Sequence, residues 1–124
     1  MKKIEAIVEP VQFQDVKEAL SGIGVRDLTI SEIRAVDPLG AHTEMYRGVE
    51  YTVDCVPKIK IEAVVADELA DDAVAAIAEA ASPRHDGAGK IFISPVEEVF
   101  ELRSGSRGHY PAPRLRSRAR RGWA

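Results

Sequence analysis

Twice in this chain a stretch of apolar–polar alternation runs straight into a stretch of helical periodicity, and that repetition limits the fold more than any single motif does. "KKIEAIVE" alternates, with Ile4, Ala6 and Val8 on one side and Lys3, Glu5 and Ile7 on the other, the period-two signature of a half-buried strand. After Pro10 the apolar residues Val11, Phe13, Val16, Ala19 and Leu20 are spaced for one face of a helix, and Gly22 and Gly24 end the pattern. "VRDLTISEIRAV" returns to alternation through Val25, Leu28, Ile30 and Ile33 and stops at the breaker "DPLG". The second unit begins at "CVPKIKIEAVVA", where Ile59, Ile61, Ala63 and Val65 share a face. It continues into "DELADDAVAAIAEAA", a helix that Asp67 is placed to cap. Acids stand in its first turn, where the macrodipole favours them, and Leu69, Val74, Ile77 and Ala81 line its buried side. A Gly-rich loop, "SPRHDGAGK", leads to a short strand, "KIFIS", and "VEEVFELR" reads as a last strand or a hairpin arm.

The order β-α-β, long loop, β-α-β predicts a ferredoxin-like α+β sandwich, an antiparallel sheet with both helices on one face. The other face is left for a partner subunit, so oligomerisation is expected. The 124 residues suit one domain of modest core rather than two. No apolar run approaches the roughly 18 residues of a spanning helix, and "MKKIEAIVEP" lacks the apolar stretch of a secretory signal, so a soluble, cytoplasmic protein is expected. Cys55 is the single cysteine, and His42, His85 and His109 have no ligand spacing with it or with each other, which argues against a metal site. No nucleophile–base pair or carboxylate dyad is placed for catalysis, so a non-enzymatic role is expected.

Charge is unevenly distributed. Residues 1–102 hold 10 bases against 20 acids, a balance of −10, whereas residues 103–124 hold 7 bases and no acid. The Arg- and Pro-rich tail, 109–124, offers little to bury and is expected to be disordered, with a contact to a polyanion as one use for it. Between the two units lies "HTEMYRGVEYTVD", residues 42–54, in a connection of about twenty residues, which is too long to be a mere connector. Gly48 permits a tight turn, Arg47 projects a cation, and Tyr46 and Tyr51 offer the rigid amphipathic area typical of binding hot spots.

These residues resemble those of the PII nitrogen-regulatory signalling proteins, through "MKKIEAIVEP", "VKEAL", "HTEMYRGVEYTVD", "PKIKIE" and "GKIFISPVEEV". The resemblance runs from residue 1 to about 108 without a gap and leaves the tail outside. It implies a homotrimer whose inter-subunit clefts bind ATP or ADP, and commonly 2-oxoglutarate through magnesium. A T-loop, here about residues 37–55, would report the ligand state to a transporter, enzyme or regulator. Carried over position by position, Ile7, Thr29, Glu62 and Val64 match the adenine and ribose contacts. Gly87, Ala88 and Gly89 match the phosphate loop, Lys90 and Arg103 its bases, and Lys58 the lysine that meets 2-oxoglutarate or a small anion. Tyr46, Arg47, Gly48 and Tyr51 match the partner-reading tip, with Tyr51 the uridylylation position. On spacing alone "GAGKI" is no P-loop, since no Ser or Thr follows the lysine.

The departures from the family pattern bear on the ligand. The loop base, usually much like Gly-Arg-Gln-x-Gly, reads Asp37-Pro38-Leu39-Gly40-Ala41, and Leu39 cannot ligate the magnesium that the glutamine helps to hold. Pro38 fixes its own φ and biases Asp37 towards extended conformations. Glu101 stands where a second phosphate-binding arginine is usual, and like charges about 4 Å apart repel by roughly 4 kcal/mol at an effective dielectric near 20. Pro83 and Ala88 replace Thr and Asp of the usual phosphate loop, and Val49 replaces a small residue beside Tyr51. Two readings follow from the resemblance: a PII-like regulator responding to an adenine nucleotide, or a divergent paralogue sensing ADP, AMP or an anion such as bicarbonate without the usual 2-oxoglutarate response. A third, a nucleic-acid module acting through the tail, meets an acidic body that lacks aromatic platforms.

Overall fold

The computed structural model describes residues 1–36, 55–81 and 89–108 in full, and residues 42–46 and 49–53 as backbone. Strand β1 (Lys2–Val8) is followed by a 3₁₀ turn (Pro10–Gln12), helix α1 (Phe13–Gly22) and strand β2 (Thr29–Val36). Next come β3 (His42–Tyr46), β4 (Val49–Val53), the long β5 (Cys55–Val65) and helix α2 (Asp67–Ala80). Strand β6 (Lys90–Pro95) and the short pair β7 (Val99–Phe100) and β8 (Arg107–Gly108) complete it. The main sheet has the order β2-β5-β1-β6 with every neighbour antiparallel. This is the ferredoxin-like arrangement expected from the double β-α-β pattern.

Alternation decides which face is buried. Ile4, Ala6 and Val8 of β1 and Ile61, Ala63 and Val65 of β5 point into one core with Val16 and Leu20 of α1 and Ala70, Ala73 and Ile77 of α2. Fully burying an Ile or Leu side chain contributes about 1.5–3 kcal/mol. The helices pack against each other, and α2 lies on β1. The buried side of α2 is rotated from the expected one. Ala70 and Ala73 join Ile77 at its centre, while Leu69, Val74 and Ala81 flank it half-buried.

The sequence-based expectations differ from the structure in three further places. β2 begins at Thr29, not Val25, because α1 ends in a Schellman motif: the Gly24 N–H donates to Ser21 O at 3.0 Å and the Val25 N–H to Leu20 O at 2.9 Å. Gly24 supplies the positive φ of 94° that the motif requires, and Val25 is buried at the end of the helix instead of pairing in the sheet. Asp67 does not cap α2. Ala66 holds the extended cap conformation, so Asp67 is already helical, and its carboxylate instead meets the Met1 ammonium at 2.9 Å. The long connection between the two units contains a ribbon, β3 paired with β4 from His42↔Val53 to Tyr46↔Val49. Its Thr43, Val49, Thr52 and Val53 are β-branched, which favours a pleated backbone. "VEEVFELR" resolves as a hairpin arm, Val99 opposite Gly108 and Phe100 opposite Arg107, with Glu98 and Arg107 paired at 2.8 Å.

Candidate functional site

The sheet face turned away from the helices carries most of the candidate residues, and strand register fixes their order. Thr29 lies opposite Glu62, Glu62 opposite Glu5, and Glu5 opposite Phe92; in the next row stand Ser31, Lys60, Ile7 and Lys90. Directly opposed residues share a face. A cleft of about 270 Å³ opens at one side of this face, lined by Lys3, Asp27, Thr29, Glu62, Ala63 and Val64. Three residues separated by 33 or 35 positions from Thr29 to Glu62 and Val64 in sequence thus line one wall.

The cleft is electrostatically organised. Lys3 Nζ meets Glu62 Oε2 at 3.1 Å and Glu5 Oε2 at 4.0 Å, and Lys60 Nζ lies 3.8 Å from Glu5 Oε2. The hydrogen bond from Lys3 holds the Glu62 carboxyl below its ordinary range against the opposing effect of burial, with Glu5 and Lys60 adding to the depression. The hydrogen bond and charge of Glu62 in turn raise the Lys3 ammonium, and Glu5 adds to that. Glu62 is therefore an anionic acceptor at neutral pH, suited to accept from a hydroxyl such as that of a ribose.

A second group gathers where β6 begins. Lys90 is opposite Ile7, and the Gly89 backbone runs so close to β1 that a side chain there would overlap the Ile7 carbonyl. Gly89 is thus required by packing as well as by any need for backbone access. Lys90 is exposed at the start of β6. On β5, Lys58 is almost buried and pairs with Glu9 Oε2 at 3.0 Å. Glu9 follows β1 and is held by the 3₁₀ turn: its N–H donates to Gln12 Oε1 at 2.9 Å, and Gln12 Nε2 donates to Ala81 O at 2.9 Å.

Arg103 is exposed in the turn of the β7–β8 hairpin. In the same turn the Glu101 carboxylate accepts a hydrogen bond from the Ser104 hydroxyl at 3.0 Å, so the acid that departs from the family pattern has a local partner. Gly87, Ala88, Arg47, Gly48, Asp37, Pro38, Leu39, Pro83 and the tail 109–124 lie outside the described residues. Tyr46 and Tyr51 are on β3 and β4, but their side chains lie outside that set as well. The structure therefore brings together Thr29, Glu62 and Val64 in the cleft, and Ile7, Gly89 and Lys90 at the start of β6.

Sequence reasoning missed Lys3, Asp27 and Glu9. A signal existed for the first: "KIE" recurs at Lys3–Glu5 and Lys60–Glu62, so opposite charges two apart mark both central strands on the same face. Among the described residues no group of three His, Cys, Asp or Glu side chains is arranged to hold a metal ion.

Comparison with known proteins gives one answer. The family model for nitrogen regulatory protein P-II matches residues 1–106. Nitrogen regulatory protein P-II of Azospirillum brasilense is 48% identical over 108 residues, which cover 87% of this chain and 96% of the relative. That of Haemophilus influenzae is 49% identical over 105 residues, 85% of this chain and 94% of the relative, and that of Rhizobium meliloti is 48% identical over 108 residues. With a double β-α-β fold, a ribbon between its halves and this extent of identity, the chain belongs to the P-II nitrogen regulatory family.

Proposed function

We propose that this protein is a nucleotide-responsive P-II regulator in which the sheet face just described is one wall of an inter-subunit site. As a family member it is a regulatory signalling protein of nitrogen metabolism and not an enzyme. Its effector is an adenine nucleotide, bound between subunits of a homotrimer. Thr29, Glu62 and Val64 of one subunit take the adenine and ribose; Ile7, Gly87, Ala88, Gly89 and Lys90 of its neighbour take the rest, with Lys90 and Arg103 on the phosphates.

The observation that carries this reading is the cleft uniting Thr29, Glu62 and Val64, with Ile7, Gly89 and Lys90 grouped separately on the same sheet face. Each group is half a site, and a neighbouring copy supplies the complement. The exposed Phe92 on that face is apolar area for such a copy to cover. The β3–β4 ribbon, 42–53, carries the output to a protein target, with Tyr46, Arg47, Gly48 and Tyr51 at its reading end and Tyr51 as the modification site.

No helix of the described residues is long and apolar enough to cross a membrane, and the proposed location is the cytoplasm. Calorimetric titration of the purified protein with ATP, ADP and AMP, each with and without magnesium and 2-oxoglutarate, tests the reading. Micromolar binding of at least one nucleotide, lost in Lys90→Ala, is expected, and no binding of any of the three refutes it. ADP or AMP bound with no enhancement by 2-oxoglutarate identifies the divergent form. Mass measurement after incubation with a cognate uridylyltransferase and UTP tests Tyr51, and an unchanged mass removes that assignment.

A further inference from the structure

We propose that Glu9 is a specificity-determining residue: a tethered carboxylate that occupies the Lys58 ammonium and makes free dicarboxylates compete for it. The proposal rests on the reading of Lys58 as the small-anion contact. The Lys58 side chain is 10% exposed and the Glu9 side chain 29%, and their charged ends are 3.0 Å apart. The acid is thus the more open of the two, and an incoming anion meets it before it reaches the buried cation. Among the described residues Glu9 is the carboxylate within ion-pair reach of Lys58.

Glu9 is also held in place. Its backbone is extended, as the residue before Pro10 must be, and its N–H and C=O are both bonded to Gln12, at 2.9 Å each. Gln12, itself buried, is anchored to Ala81 O at the end of α2. A carboxylate on so short a tether acts at an effective concentration of at least the order of millimolar. A free dicarboxylate must displace it and then bear its repulsion at close range. The Lys58 position is therefore self-liganded, and the chain disfavours a class of effector by an ion pair within one subunit.

The test is titration of 2-oxoglutarate into the wild type, Glu9→Gln and Glu9→Gln/Lys58→Met, each with and without ATP and magnesium. Glu9→Gln keeps the backbone bonds of the turn and removes the charge, and it is expected to bind about ten-fold tighter than the wild type. The gain disappears in the double variant. Unfolding midpoints verify that each variant folds, and Glu9→Ala carries the same expectation should the amide variant fold poorly. Equal or weaker binding in Glu9→Gln, a gain that survives Lys58→Met, or no 2-oxoglutarate binding to any form overturns the proposal. Absence of ATP binding refutes the nucleotide reading instead, and the titrations without nucleotide still report on Glu9.

Discussion

Gly89→Ala separates the packing role of the loop end from its ligand role. A Cβ at this position would overlap the Ile7 carbonyl oxygen, lie 3.0 Å from the Ile7 carbonyl carbon and 3.5 Å from Val8 Cα. The obstacle is backbone of a central strand, paired on both sides by β5 and β6, so it cannot swing aside as a flexible side chain would. Relief must come from moving the start of β6, which breaks the Ile7–Lys90 pair and turns Lys90 away from its row. Overpacking of this kind costs about 1–3 kcal/mol. Urea denaturation should therefore show a lower midpoint, and calorimetry should show nucleotide affinity reduced by about ten-fold or more, because Lys90 is displaced with the strand. A variant with wild-type midpoint and wild-type affinity would refute the claim that Gly89 is packed against β1. Normal affinity with reduced stability would leave the packing argument intact and remove Lys90 from the site.

Other perturbations address the fold and the charged cleft. Gly24→Ala should cost about 1 kcal/mol, since φ of 94° strains an L-residue although space is free around it, and nucleotide affinity should not change. Ile77→Ala, at a side chain 2% exposed in the core, should cost about 2–5 kcal/mol by denaturant unfolding. The depressed Glu62 carboxyl binds protons less readily folded than unfolded, so it stabilises the fold above its ordinary value of 4.5 and loses that contribution as pH falls through the lower folded value. Glu62→Gln should accordingly flatten the acid limb of a stability–pH profile, and an unchanged limb would remove Glu62 from it. Lys3 has the opposite sign: raised when folded, it contributes fully below its ordinary value of 10.5 and loses the contribution as pH climbs through the folded one.

Elements with clean periodicity were legible from the chain alone. β1 alternates from Ile4 onward and β5 from Ile61 to Val65, so the buried and exposed faces of those stretches could be assigned residue by residue. Where a turn motif and an alternating pattern compete for the same apolar residue, local reading fails. Val25 fits the strand alternation, yet closing α1 with a Schellman motif buries it beside Leu20, and tertiary packing decides. The rotation of α2 was hidden for a similar reason: a helix rich in Ala offers several apolar stripes, and the surface it packs against selects one. The ribbon within 42–53 was obscured because polar and charged residues interrupt any period-two apolar pattern along it.

The candidate site divides along the same line. Residue types and order determined the double β-α-β fold, the place of the long connection, the Gly-rich approach to Lys90 and the acidic body with its basic end, since each depends on near neighbours in the chain. Only the tertiary structure decided what those residues face. Antiparallel register sets Thr29 against Glu62 and Ile7 against Lys90, and it lays Glu9 over Lys58, 49 positions away. Whether a lysine is an open anion contact or already paired depends on which distant carboxylate the register delivers to it, and no local pattern encodes that distance.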